Sequence, residues 1–190
     1  MLTGMNLPGH SSPAAGFDTP LQMLAACHQR IRRQCETLRR LVPHVAAHGA
    51  DQQAREAAQA VLRYFDTAAV HHHQDEEQDL FPALLEAMAG SDAVCLRDLS
   101  EGLRAEHREL DTCWRALRSG LQRLAEGDAA GFQADAARAL AQAYEQHIAR
   151  EDAELLPLAA RLLDANALCD IGQAMQKRRG LSATPRPQPG

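Results

Sequence analysis

Histidine is unusually frequent in this 190-residue chain, and two of its nine histidines are spaced for metal chemistry. His72 stands four residues before Glu76, and His147 stands four residues before Glu151. A separation of four residues places two side chains on the same face of an α-helix, one turn apart. Each His-x-x-x-Glu pair therefore offers an imidazole nitrogen and a carboxylate oxygen together, and these are donors that transition metals accept.

The two pairs belong to an internal repeat. Residues 72–82 and 147–157 align without a gap, since each glutamate is followed by a leucine four residues later and by a proline two residues after that. His73 with Glu77 is a rival pair, but the counterpart of His73 in the repeat is Ile148. We therefore favour His72 with Glu76. His73 is left either as a donor to a ligand carboxylate or as a residue that completes one ion's ligands.

Two further histidines, His28 and His107, interrupt helical stripes that are otherwise apolar. Their neighbours at three and four residues are Leu24 and Ile31 for His28, and Leu103 and Leu110 for His107. A buried imidazole costs free energy unless it is hydrogen-bonded or bound to metal. Taken alone, each is explained by a hydrogen-bonded core histidine. Together with the repeat, they predict four imidazoles that converge in one core.

The donor set predicts a pair of metal ions. Two six-coordinate ions that share bridges need about ten or eleven donor atoms. Four imidazoles supply four donors, two bridging carboxylates supply four more, and an oxo or hydroxo bridge from solvent attaches to both ions, so that one or two positions stay open. Such donors suit iron, with manganese as an alternative, whereas zinc usually binds singly with four ligands. The predicted ligands are His28, His72, Glu76, His107, His147 and Glu151.

The elements that must position these residues are predicted to be helices. Alanine and leucine dominate the apolar residues, aromatics make up only 4%, and no run of alternating β-branched residues favours strands. The apolar spacing predicts a helix from residue 20, capped by Thr19 and ended or kinked at Pro43. Further helices are predicted at about 52–88, 128–163 and 166–179, and the helix between the first two of these carries an apolar stripe from residue 96 to residue 124. Asp51 should cap the second helix and Pro82 should kink it, and a turn is predicted at Gly90-Ser91, with Ser91 or Asp92 as the next cap.

Short connections between long helices predict an all-α fold, an up-down-up-down four-helix bundle with a short C-terminal fifth helix. The domain is expected to span residues 18–180, between disordered tails at 1–17 and 181–190.

The net charge of −5 disfavours nucleic-acid binding, and no apolar run approaches the roughly 18 residues of a membrane span. The start lacks a secretory signal, and five cysteines without a CxxC pair suggest reduced thiols. We expect a cytoplasmic monomer or homodimer.

The motifs HxxxEExxLFP at residues 72–82 and HxxxExxxLLP at residues 147–157, with the single histidines 28 and 107, resemble those of the hemerythrin-like (HHE cation-binding) family. The likeness covers roughly residues 20–163, and residues 171–180 also resemble the C-terminal end of many bacterial members. It implies a non-haem di-iron centre in a four-helix bundle. The same six ligands are implied, with Glu76 and Glu151 as the bridges.

Two departures from the oxygen-carrying hemerythrins bear on function. Those proteins have a second histidine in the third helix, where this chain has Asp111, and an aspartate ligand where it has Glu151. Fewer histidines imply a more open iron, which disfavours reversible oxygen transport. The expected role is binding of, or reaction with, a small diatomic molecule or peroxide (O₂, NO or peroxide) in sensing or stress defence, and the sequence does not decide between enzyme and sensor.

Metal-binding helical bundles include two other classes of function. A ferritin-like oxidase uses Glu-x-x-His on two helices, and no histidine here has a glutamate three residues before it. A regulatory or partner-binding bundle in which metal is only a structural staple remains the alternative.

Asp79 and Glu154 occupy equivalent positions seven residues after the two motif histidines. They are expected either to orient ligands or to form a polar layer near the bundle end.

Overall fold

The computed structural model describes residues 16–88 and 93–182, and these residues are almost entirely helical, with no strand among them. Two short π-helical turns, at Glu76–Leu80 and Glu151–Leu155, and a 3₁₀ turn at Ala129–Gly131 interrupt the α-helices. The α-helices are α1 (Pro20–His48), α2 (Gln52–Phe65), α3 (Ala68–Asp75), α4 (Phe81–Ala87), α5 (Ala93–Ala125), α6 (Ala134–Arg150), α7 (Leu156–Leu162) and α8 (Ala165–Arg178). The predicted all-α helical bundle is confirmed.

Helix α1 begins at Pro20 as predicted, but the expected side-chain cap at Thr19 is wrong, and the helix does not end at Pro43. The Thr19 hydroxyl donates to the carbonyl of Gly16 at 3.2 Å instead of capping the helix. The helix continues through Pro43 and ends at His48. Proline in a helix interior forfeits one backbone hydrogen bond. Leu41 and Val42 are buried in the core on this turn, and their packing offsets that loss.

The second predicted helix is divided into three. The predicted cap at its start is confirmed, because the Asp51 side chain accepts a hydrogen bond from the amide of Ala54 at 2.8 Å. The first break comes at Asp66, whose carboxylate accepts from Trp114 Nε1 at 3.1 Å and from Arg118 Nε at 2.8 Å. These bonds tie the end of α2 to α5.

The internal repeat is visible in the backbone as the two π-helical turns. Each begins at the glutamate of a His-x-x-x-Glu pair and ends just before a short helix whose second residue is proline. The Phe81 amide donates to the Glu76 carbonyl, five residues back. Because proline has no N–H to donate, the wider turn absorbs the defect that Pro82 introduces. The kink predicted at Pro82 thus takes the form of a π turn.

The candidate ligands lie between two apolar clusters. In α1, His28 stands between Leu24 of one cluster and Ile31 of the other. In α5, His107 likewise stands between leucines that belong to different clusters. The first cluster is formed mainly by α1, α2, α5 and α6, and the second involves the π turns, α4, α7 and α8. The ligands therefore occupy a polar layer enclosed on two sides by packed side chains.

Helix α8 packs against α1 and α3 and closes the second cluster. Phe17 also contacts this cluster, and Gly172 allows a close approach, because a Cβ built there would lie 2.0 Å from the Phe17 carbonyl oxygen. The cap of α8 is Asp164, which accepts from the amide of Ala167 at 2.8 Å.

Several expectations fall outside the described residues. They include the turn at Gly90-Ser91, the cap at Ser91 or Asp92, and nearly all of the predicted tails at 1–17 and 181–190. The up-down-up-down order of the long helices stays a prediction. None of the helices in the described ranges combines the length and apolar character needed to cross a membrane.

Candidate metal centre

All six predicted ligands meet in the buried layer. α1 supplies His28, α3 supplies His72, α5 supplies His107 and α6 supplies His147. The two glutamates are the first residues of the π-helical turns. A π turn widens the helix and is common at functional sites. Every one of the six side chains is buried.

One half of the site joins the first two histidines to both glutamates. His28 Nε2 lies 3.2 Å from Glu151 Oε2 and 4.0 Å from Glu76 Oε1. His72 Nε2 lies 3.6 Å from Glu76 Oε1 and 3.9 Å from Glu151 Oε2. One donor atom from each of these four residues lies within 4.8 Å of the others, so the set can hold one cation.

The other half joins the remaining histidines to the same glutamates. His147 Nε2 lies 3.0 Å from Glu151 Oε1, and His107 Nε2 lies 3.4 Å from Glu76 Oε2. The two Nε2 atoms are 3.1 Å apart. These four residues also bring one donor atom each within 4.8 Å of the others, which makes a second set able to hold a cation.

The glutamates link the two sets through different oxygens. Glu76 directs Oε1 towards His28 and His72 and Oε2 towards His107. Glu151 does the same in the opposite order, with Oε2 on the first set and Oε1 on the second. A carboxylate placed this way can donate one oxygen to each of two neighbouring ions.

Most of the polar atoms at the centre lack well-aligned hydrogen-bond partners among the described residues. Nε2 of His28, Nε2 of His72 and all four carboxylate oxygens of Glu76 and Glu151 are buried without one. Buried polar atoms are nearly always paired, and leaving several unpaired in one place is costly. The donors present are imidazole nitrogen and carboxylate oxygen, which iron, manganese and zinc accept. The residues therefore fit a metal-binding site.

The outward nitrogens of three of the histidines are held by carboxylates. His28 Nδ1 lies 2.6 Å from Asp152 Oδ1, and the other oxygen of Asp152 accepts from Arg32 at 2.6 Å. A carboxylate at Nδ1 fixes the proton there, so that the Nε2 lone pair faces inwards as a ligand must. It also makes the imidazole a stronger donor.

The same device recurs on α5 and α6. His107 Nδ1 lies 2.7 Å from Glu77 Oε1, and His147 Nδ1 lies 2.7 Å from Glu106 Oε2. An arginine holds each carboxylate in turn, Arg104 on Glu77 and Arg150 on Glu106. The Nδ1 atom of His72, in contrast, is buried without a partner among residues 16–88 and 93–182.

These outer carboxylates differ from those expected. Asp79 accepts from Arg178 at 2.7 Å, and Glu154 lies 3.7 Å from Arg150, so the expectation that they orient imidazoles is wrong and the polar-layer alternative describes them better. Both lie a turn beyond the site. The internal repeat could have indicated two of the carboxylates that hold imidazoles, because Glu77 and Asp152 occupy equivalent positions one residue after the candidate bridging glutamates.

The rival pairing of His73 with Glu77 is not formed, since Glu77 binds His107 and Arg104. The His73 ring instead stacks on His107, with 4.0 Å between ring centroids. The choice of His72 over His73 beside Glu76 therefore agrees with the geometry.

The buried carboxylates and imidazoles of the centre shift one another's pKa values. Burial lowers the pKa of His28 and His107, but the carboxylates of Glu151 and Glu76 outweigh burial and raise the pKa of both imidazoles to about 10. Burial dominates at His72 and lowers its pKa. Burial also favours a neutral Glu151, yet the surrounding imidazoles hold its pKa well below the usual range. The carboxylates therefore stay charged, and metal binding at His28 and His107 requires the displacement of a proton.

Comparison with known proteins agrees with this geometry. The family model described as the hemerythrin HHE cation binding domain matches residues 19–159. An uncharacterized protein of Haemophilus influenzae is 31% identical over 165 residues, which cover 87% of this chain and 92% of that protein. The match spans α1 to α7 and includes all six candidate ligands. This chain belongs to the hemerythrin HHE cation-binding domain family.

Proposed function

We propose that this protein holds two iron ions at the described centre and uses them to bind or react with a small oxidant, which is O₂, NO or peroxide. The observation that carries the proposal is the sharing of both glutamates between two donor sets. His28 and His72 serve one ion, His107 and His147 serve the other, and Glu76 and Glu151 bridge them by separate oxygens.

The donor count supports reactivity over mere structural stapling. Each set offers two imidazoles and one oxygen from each glutamate, which is four protein donors for an ion that accepts up to about six. The positions left over are available to solvent and to an external ligand. Bound iron would supply the capacity for electron transfer. A closed structural site, in contrast, uses all its positions for protein ligands.

The surrounding side chains select for small molecules. The apolar clusters on either side of the centre are built from buried side chains. These walls exclude large substrates and bulk water. These walls include the buried side chains of Leu24, Ile31, Phe65, Leu103 and Leu110. Asp152, Glu77 and Glu106 keep protons on the outward nitrogens and leave the inward nitrogens free to bind metal.

The test is anaerobic loading with ferrous iron, followed by metal counting and optical spectra before and after exposure to each oxidant. We expect two irons per chain and a near-ultraviolet charge-transfer absorption that changes with the oxidant. Replacing His72 or Glu151 by alanine should abolish stoichiometric loading, whereas the exposed His48→Ala variant should load like the parent. A protein that binds zinc equally well, stays colourless and does not react would instead support the metal-stapled regulatory module.

A further inference from the structure

His73 is an imidazole that the internal repeat does not account for. Its counterpart is Ile148, a fully buried core residue. One half of the repeat thus places an imidazole where the other half places a hydrocarbon side chain. Polar substitution in such a layer is costly unless the polar atom finds a partner.

The surroundings of His73 provide no hydrogen-bond partner for its Nε2 atom. That atom is shielded from solvent and has no partner among the described residues. The ring lies parallel to His107, and its centroid is 5.9 Å from that of His147 with the planes nearly perpendicular. One ring nitrogen each from His73, His107 and His147 lies within 4.8 Å of the other two. Three imidazole nitrogens at such spacing can bind one cation together.

Resting on the proposed di-iron function, we propose that His73 is a third imidazole ligand of the ion held by His107 and His147. The two ions then differ. The ion at His28 and His72 has two imidazoles, and the other ion has three. With both glutamates shared, the position left for an external ligand falls to the ion with fewer imidazoles. The asymmetry follows from this one residue, because the remaining ligands repeat in both halves.

A surface groove gives access to the outer edge of this ring. A cavity of about 270 Å³ is lined by His73 and His107 together with Val70, Gln74 and Glu77. Removing the His73 side chain should therefore open the ligand position to a small molecule from solvent. Free imidazole is the natural probe, since it restores the missing nitrogen donor without the protein side chain.

The experiment is anaerobic titration with ferrous iron, monitored by equilibrium dialysis, on the full chain and on His73→Ala. The first ion should bind as in the parent, and the affinity for the second should fall at least tenfold, since even an outer partner of a ligand contributes about that much. Added imidazole should restore the second ion. The adjacent His71→Ala is the matched control and should bind both ions normally.

X-ray absorption at the iron edge gives an independent readout. We expect about five imidazoles per iron pair in the parent and four in His73→Ala. The second variant, His73→Gln, keeps a polar side chain at this position and should also show four. Circular dichroism identifies any variant that does not fold. Unchanged second-ion affinity in a folded His73 variant, or four imidazoles in the parent, overturns the role of His73 while leaving the di-iron function intact. A parent that binds fewer than two ions overturns both.

Discussion

The clearest quantitative prediction concerns Asp152, the carboxylate behind His28. Its two oxygens accept from two donors at once, one from His28 Nδ1 and one from Arg32, each at 2.6 Å. The substitution Asp152→Asn would keep the size of the side chain but leave only one acceptor oxygen. Either the imidazole or the guanidinium then faces an amide N–H₂ group. The imidazole loses its anionic partner in both cases.

The size of the effect follows from the role of that contact. Loss of an outer hydrogen-bond partner of a metal ligand typically costs about 10- to 100-fold in metal affinity, or roughly 1.4 to 2.7 kcal/mol. The Asp152 side chain is 36% exposed, and solvent screens part of its charge. We therefore expect a loss of about tenfold, which is the lower end of that range.

Anaerobic competition between the protein and a chromophoric chelator measures this loss. The matched control is Asp135→Asn, which makes the same chemical change on a fully exposed carboxylate paired with Arg138. Asp152→Asn should weaken iron binding by about tenfold, and Asp135→Asn should leave it unchanged. Equal affinities for Asp152→Asn and the parent, with both proteins folded, would refute the claim that Asp152 supports His28 as a ligand.

Three further outcomes are expected. Gly172→Ala should lower the free energy of unfolding, measured in urea, by about 1 to 3 kcal/mol, because the added methyl group would collide with the backbone of Phe17. Gly102→Ala is the control and should leave that free energy unchanged, because its methyl group meets only the flexible end of an arginine. Equal losses in the two variants would contradict the close packing of Gly172 on Phe17. Arg118 holds the pKa of Asp66 below its usual value, so the charged Asp66 stabilises the fold at pH values above the usual carboxyl pKa, and this stabilisation is lost as the pH falls through the folded pKa. Asp66→Asn should therefore be less stable than the parent at pH 7 and equally stable in strong acid, as measured by thermal melts. A difference in stability that persists in acid would contradict the assignment. Iron at about 100 times its dissociation constant should stabilise the folded chain by about 2.7 kcal/mol for each bound ion in the same melts, and an unchanged melting temperature would contradict specific binding.

The candidate ligands were easier to predict from the sequence than the outer carboxylates that hold the imidazoles. The ligands could be found because a spacing of four residues fixes two side chains on one helix face, whatever the helix packs against. The gapless repeat then separated His72 from His73. The outer carboxylates are different, because Glu106 reaches His147 on another helix, and such contacts depend on how far apart and in what register two helices pack.

Helix boundaries show the same division between local and tertiary causes. The cap at Asp51 depends on its own next turn, and it was predicted. Pro43 was expected to end or kink α1, but burial of the residues around it keeps the helix intact. The break between α2 and α3 at Asp66 depends on hydrogen bonds from α5, which is far along the chain. A local sequence pattern therefore could not predict it.

The central claim is that two metal ions share Glu76 and Glu151. The most direct test is a crystal structure of the chain loaded with ferrous iron under anaerobic conditions, with anomalous scattering measured at the iron edge. The account predicts two iron peaks inside the bundle, each contacted by one oxygen of each glutamate. His28 and His72 should contact one peak, and at least His107 and His147 should contact the other. A single four-coordinate ion, or iron bound elsewhere on the protein, would contradict it.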